Sequence, residues 1–235
     1  MLISLPRWFA HRGGGSLAPE NTLAGIRLAA RLGYRAVEFD VMLSADGTPL
    51  LIHDETLERT TNGCGRVCDT PDSILFALDA GNGEHLPRFA EAAALCRELG
   101  LLANVEIKPA TGFEIATAEV VARQTAELWR YAEVQPLLSS FSLAALEVAR
   151  DLAPEIRRGV LFEEPPADWL NEVRRLRAVT LHCDAELLND EVLAEARAHD
   201  IPLLCYTVNG EKQAKMLFAR GVSALFTDRL DLFAQ

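Results

Sequence analysis

The chain is predicted to fold as an α/β protein, a (β/α)₈ TIM barrel, and three observations predict it. From Pro109 onward, short β-rich segments alternate with helical patterns of mostly ten or more residues, the signature of parallel βαβ units. Counted over the whole chain, without the return arm of one hairpin, eight such strands fit within 235 residues. The charged residues that interrupt otherwise apolar strands fall at strand C-termini, where such barrels place their active sites. The expected organisation is a single domain, 1–235, with an insertion at about 44–86 after the second barrel strand.

In chain order, Trp8-Phe9-Ala10 is a short apolar strand delivering His11-Arg12, then Gly13-Gly14-Gly15, a loop whose backbone is expected to approach something closely. A helix follows with Asn21 or Thr22 as N-cap and Leu23, Ile26 and Ala30 at helical spacing, ended by Gly33. In Tyr34–His53, Val37, Phe39 and Val41 alternate with Glu38 and Asp40, so period two gathers both carboxylates on one face. Buried unpaired charge is costly, so two acids there point to a site and not to plain structure. Asp46-Gly47 signals a tight hairpin. With those two as the central turn residues, the ladder places His53 opposite Asp40.

The polar stretch Asp54–Ser73 is too long for an ordinary connection and is expected to cross the mouth of the fold, with a short helix near Ser73–Leu78. A helix near Arg88–Leu99 leads to the strand Leu102–Lys108, where Asn104, Glu106 and Lys108 share the polar face. Helix and strand then alternate as Phe113–Trp129 and Pro136–Phe141, Leu143–Leu152 and Gly159–Phe162, and Ala167–Leu176 and Val179–Cys183. Asp190–His199 and Pro202–Val208, then Lys212–Ala219 and Ala224–Thr227, complete the series.

Composition excludes several classes. A net charge of −11 disfavours nucleic acid and anionic membranes as partners, so an anionic ligand would bind only where cations reverse the field locally. No apolar run approaches a membrane span, and Pro6-Arg7 interrupts the start before any targeting pattern develops, so a cytoplasmic protein without stable membrane insertion is expected. Five scattered cysteines fit free thiols, and no second pair joins Cys64 and Cys68 to complete a zinc site.

HRGGGSLAPENTLAGI, then EFDVMLSADGTPLLIHDETLERTTNGCGRV, then NVEIKP, together resemble the glycerophosphodiester phosphodiesterase family, bacterial cytosolic type. Weaker echoes continue through SSFSLAALEVARDLAPEIRRGVLF, YTVNG and GVSALFTDRLD, so the resemblance spans nearly the whole chain in order. It implies a metal-dependent hydrolase of lipid and glycerol metabolism that converts small glycerophosphodiesters, such as glycerophosphocholine or glycerophosphoethanolamine, to glycerol 3-phosphate and an alcohol. It also implies His11 and His53 as acid and base, Glu38, Asp40 and Glu106 as ligands of Mg²⁺ or Ca²⁺, and Arg12 and Lys108 as phosphate contacts. The chemistry agrees: carboxylate oxygens suit a hard cation, a guanidinium fork suits phosphate, and two imidazoles titrate near neutrality.

Three departures bear on head-group choice. The segment after Asp79-Ala80-Gly81 is short, Cys205-Tyr206 replaces the usual hydrophobic-Trp pair, and Leu230 replaces a proline. Two alternatives share the pocket: a lysophospholipase D or cyclic-phosphate phosphodiesterase, and a non-catalytic phosphate- or metal-binding barrel. A glycosidase reading leaves Arg12, His53 and Lys108 without work. A monomer or homodimer is expected. His85, His182 and His199 read as surface or packing residues, and Asp54 as an orienter of His53 or a turn cap.

Overall fold

A computed structural model describes residues 5–233. Residues 1–4 of the stretch read for a targeting signal, and 234–235 of the expected 1–235 domain, lie outside the described residues.

The chain runs β1 (Trp8–Ala10), α1 (Leu23–Arg31), β2 (Ala36–Leu43), β3 (Pro49–Leu51), α2 (Asp72–Leu75), α3 (Phe89–Leu99) and β4 (Leu102–Ile107). It continues α4 (Glu114–Leu128), β5 (Leu137–Ser140), α5 (Leu143–Leu152), β6 (Arg157–Phe162), α6 (Trp169–Arg175) and β7 (Thr180–Asp184). The last elements are α7 (Asp190–Ala198), β8 (Leu203–Tyr206), α8 (Glu211–Arg220) and β9 (Ala224–Thr227). Eight parallel strands form a closed ring, because β1 pairs with both β2 and β9. The expected TIM barrel is therefore present, with β3 as one extra antiparallel strand outside it.

Strand alternation divides the core. Inward residues Phe9, Ala36, Leu102, Leu137, Leu204, Ala224 and Phe226 plug the lumen, with Phe9 and Phe226 rings 4.9 Å apart. Outward residues such as Val37, Phe39 and Val105 pack under the helices. Truncating a buried ring such as Phe39 costs about 3–5 kcal/mol. The helices begin where side chains satisfy free N–H groups: the Gly25 N–H donates to Thr22 Oγ1 (3.2 Å), and the Val192 N–H donates to Asn189 Oδ1 (2.8 Å). Each such cap is worth about 1 kcal/mol.

Two local expectations need correction. The hairpin loop has three residues, Ala45-Asp46-Gly47, with Gly47 at φ +79°. The Gly47 N–H donates to Ser44 O and the Ser44 N–H to Thr48 O, both at 3.0 Å. Val41 consequently pairs with Leu51, and Asp40 stands opposite Ile52, not His53. A three-residue loop with a left-handed glycine satisfies the turn and shifts the ladder by one. Second, α2 stops at Leu75 because the Ala77 and Leu78 N–H groups bond three residues back, to Ile74 and Leu75, tightening the turn. The excursion between β3 and α3 has its own small core around Leu57, Val67 and Leu75.

Candidate active site

The site begins with register. On neighbouring parallel strands β2 and β4, Asp40 lies beside Glu106, and Glu38 sits two residues back on the same inward face. All three are buried, and their carboxylate oxygens lie within 4.8 Å of one another. Little water reaches them, so like charges repel strongly. Burial first, then Asp40 and Glu106, raises the Glu38 pKa well above its usual value; burial and Asp40 push Glu106 up to about 8. Asp40 differs: burial opposes its ionisation, but Lys108, His53 and Arg12 together hold it low. The Lys108 Nζ is 3.6 Å from both Asp40 Oδ1 and Glu106 Oε1. Three buried oxygen ligands short of positive charge fit a hard divalent cation.

The loop after β1 frames this cluster. The Arg12 N–H donates to Glu38 Oε2 (2.9 Å), and the Gly13 N–H to Glu38 O (2.9 Å). Arg12 and Asn21 have positive φ, 49° and 56°, joined by an Asn21 N–H to Arg12 O bond of 2.9 Å. Such conformations cost energy in non-glycine residues and cluster where side-chain placement matters. Gly14 is needed because a Cβ there would lie 2.7 Å from Ala18 Cβ and 2.8 Å from Gly25 Cα. The loop is thereby pressed onto α1, and Arg12 turns inward.

Two imidazoles flank the carboxylates. His11 Nδ1 is 2.7 Å from Asp228 Oδ1, and His53 Nδ1 is 2.6 Å from Asp54 Oδ1. An ionised carboxylate can only accept, so Nδ1 carries the proton in each pair. His11 Nε2 then lies 3.8 Å from Glu38 Oε2, while His53 Nε2 accepts from Lys108 Nζ at 2.6 Å. Burial, helped by Lys108 and Arg12, lowers the His53 pKa against the opposing pull of Asp40 and Asp54. His11, Arg12, Glu38, Asp40, His53, Glu106 and Lys108 all line one cavity of about 370 Å³ at the C-terminal mouth of the barrel.

The model of the glycerophosphoryl diester phosphodiesterase family matches residues 11–232. The chain belongs to that family. A glycerophosphodiester phosphodiesterase of Caldanaerobacter subterraneus is 30% identical over 226 residues, covering 93% of this chain and 92% of that protein. A solved structure of an Oleispira antarctica phosphodiesterase, in complex with the product sn-glycerol-3-phosphate, superposes with a TM-score of 0.90 at 35% identity, covering 95% of this chain and 93% of that one. A glycerophosphodiester phosphodiesterase from Thermotoga maritima superposes with a TM-score of 0.79 at 26% identity, covering 98% of each chain.

This glycerophosphodiester phosphodiesterase also has site residues that sequence reasoning missed. Asp228 is fixed by Asn209, whose Nδ2 donates to Asp228 Oδ2 (3.0 Å) and whose Oδ1 accepts from the Asp228 N–H (2.8 Å). Although burial opposes it, the His11 hydrogen bond keeps the Asp228 pKa low. Asn21 does not cap α1; its Nδ2 donates to Asp40 Oδ2 (2.9 Å), and its Oδ1 accepts from the Asp40 N–H (3.1 Å). Nearby, Glu20 accepts from Arg12 Nη1 at 2.9 Å. His182 lies against the cavity, fully buried and bonded to Thr180 Oγ1 at 2.9 Å, and burial lowers its pKa to about 3. Phe141, Tyr206 and Glu163 complete the outer wall. Among the described residues, no helix is long and apolar enough to cross a membrane.

Proposed function

We propose that this phosphodiesterase cleaves glycerophosphodiesters such as glycerophosphocholine and glycerophosphoethanolamine to glycerol 3-phosphate and an alcohol, with His11 and His53 dividing the proton transfers. The observation that carries the reading is the pair of imidazoles, each with Nδ1 anchored on an aspartate, on either side of a carboxylate cluster that also holds Arg12 and Lys108. The glycerol 3-phosphate held by the Oleispira relative is the expected product and supports the substrate class.

Glu38, Asp40 and Glu106 would hold a divalent cation, Mg²⁺ or Ca²⁺, because their clustered buried oxygens match a hard ion. That ion would supply positive charge next to the phosphoryl oxygens. Arg12 offers a planar fork and Lys108 a point charge to the same phosphate, reversing locally the field of a chain with net charge −11. The neutral His53, proton on Nδ1, presents an Nε2 lone pair and suits the general base once Lys108 turns to substrate. As the acid, His11 works as the imidazolium, its Nδ1 proton held by Asp228 and a second proton on Nε2 passing to the oxygen of the departing alcohol. The nucleophile is water or the neighbouring glycerol hydroxyl, the latter by way of a cyclic phosphate that a trapping experiment would reveal.

A second reading has one favouring observation. Phe141, Leu161 and Phe226 give the cavity an apolar side, which suits a lysophospholipase D substrate. The test is glycerol 3-phosphate release from both glycerophosphodiesters, with chelator and with added Mg²⁺ or Ca²⁺, for the wild type and His53→Ala. Metal-dependent release that collapses in the variant is expected. No release from either diester at saturating metal, alongside alcohol release from a lysophospholipid, would overturn the first reading in favour of the second.

A further inference from the structure

Arg59 belongs to the excursion between β3 and α3, and it touches neither the carboxylate cluster nor the cavity wall. Its guanidinium sits between two carboxylates, each of which holds a cavity residue. Nε and Nη2 donate to Asp54, at 2.5 Å to Oδ2 and 2.9 Å to Oδ1. Nη1 and Nη2 donate to Glu20, at 2.7 Å to Oε2 and 2.8 Å to Oε1. Asp54 Oδ1 also accepts from His53 Nδ1 at 2.6 Å, and Glu20 Oε1 from Arg12 Nη1 at 2.9 Å. One planar cation therefore ties the loop carrying Arg12 to the turn carrying His53.

We infer that Arg59 is a positioning residue of the phosphodiesterase, holding Asp54 against His53 and Glu20 against Arg12 so that base and phosphate clamp keep one relative geometry. The inference rests on the roles proposed above for His53 and Arg12.

An exposed ion pair usually contributes little, and the Arg59 side chain is 47% exposed. Two features separate this one from a surface pair. Both edges of the guanidinium are used, so the contact is bidentate twice over, and each acceptor is already bonded to a cavity residue. Without the cation, Asp54 and Glu20 become two neighbouring free carboxylates, able to rotate to solvent and release Nδ1 of His53 and Nη1 of Arg12. Lysine cannot replace the fork, because a single ammonium cannot face two carboxylates bidentately. The excursion also presents Arg59 from a braced turn. The Thr61 N–H donates to Leu57 O (3.0 Å), Leu57 is buried, and Glu55 accepts from the Thr111 N–H and Oγ1 at 3.1 and 2.7 Å. The long insertion thus serves the site physically, by carrying a side chain that joins the two strand ends.

The test uses the full chain loaded with Mg²⁺ and assayed on glycerophosphocholine, as wild type, Arg59→Ala and Arg59→Lys. Arg59→Ala is expected to lower kcat about 10–100-fold, the range typical of outer partners that orient site residues, with the thermal midpoint nearly unchanged. Arg59→Lys recovers little of the loss, whereas millimolar guanidinium added to Arg59→Ala restores part of it, since the vacated position is open to solvent. In ¹⁵N-histidine spectra, the His53 Nδ1–H signal of the wild type weakens or broadens in Arg59→Ala. Wild-type kcat in Arg59→Ala overturns the inference, as does a loss that follows a lowered melting temperature without guanidinium rescue. A wild type that releases no glycerol 3-phosphate defeats the proposed reaction instead, and the His53 spectrum still decides whether Arg59 holds the imidazole.

Discussion

The two histidine corners of the cavity are locally alike and globally opposite. In each, Nδ1 meets an aspartate at 2.6–2.7 Å, while Nε2 of His11 lies 3.8 Å from Glu38 Oε2 and Nε2 of His53 accepts from Lys108 Nζ. The His53 corner is made from consecutive residues and braced by Arg59 on the excursion. In the His11 corner, histidine and aspartate are 217 positions apart, brought together only because β9 pairs with β1. The same dyad can therefore be supplied by a turn or by closure of a whole barrel, and the two sources carry different vulnerabilities.

The largest expected effect tests the likeness. His11→Ala and His53→Ala should each lower kcat by about 10²–10⁴ with metal present, the usual worth of a positioned acid or base. Steady-state kinetics on glycerophosphocholine measure it, and near wild-type activity in either variant would break the symmetry.

The next comparison tests the difference. Asp54→Asn and Asp228→Asn should both reduce kcat about 10–100-fold. Only Asp228→Asn should also cost stability, about 1–3 kcal/mol, because it disturbs a half-buried carboxylate bonded to His11 and Asn209 at the barrel seam. Urea midpoints of the two variants would separate the corners, and equal midpoints would show that the seam contact is energetically idle.

A subtler distinction lies in pH. As the proposed base, His53 must be neutral, and its pKa is held below 6.5, so kcat/KM should fall as pH drops through that lower value. The Asp54 hydrogen bond raises this pKa, so Asp54→Asn should move the acidic limb to still lower pH, while Asp228→Asn leaves it in place. Rate profiles from pH about 4.5 to 8 would read the shift.

The smallest effect belongs to a third histidine, which has no aspartate. His182 is buried and neutral, with its pKa lowered from 6.5 to about 3. Between those values the unfolded chain binds a proton that the folded chain does not, so stability is lost as pH falls below 6.5. His182→Gln should flatten that acid loss and change little above pH 7, as urea titrations at pH 4.5 and 7.5 would show.

What is legible in the sequence follows range. Glu38, Asp40 and Glu106 stand out because acids alternate with core residues along strands, and the barrel register then brings the two strands together. Asp54 is legible as the neighbour of His53. Asp228 is not, since nothing local links it to His11 across most of the chain. Asn21 has the composition of a cap, and only the fold shows it bonded to Asp40, with Thr22 as the actual cap. The hairpin register differs by one because Asp-Gly marks a turn without specifying whether Ala45 belongs to its loop. Arg59 lies in a stretch without periodicity, and its importance comes from geometry between two other loops.

Barrel closure also sets an order in time. During synthesis, the carboxylates of β2 and β4 and the whole His53 corner leave the ribosome long before Asp228 exists. Until that residue emerges and β9 docks beside β1, the Nδ1 proton of His11 lacks its aspartate acceptor. Nascent chains and chains cut short of this strand therefore carry most of the apparatus without its second imidazole in place. In the proposed reaction, the anchoring of His11 therefore waits on the docking of β9 beside β1.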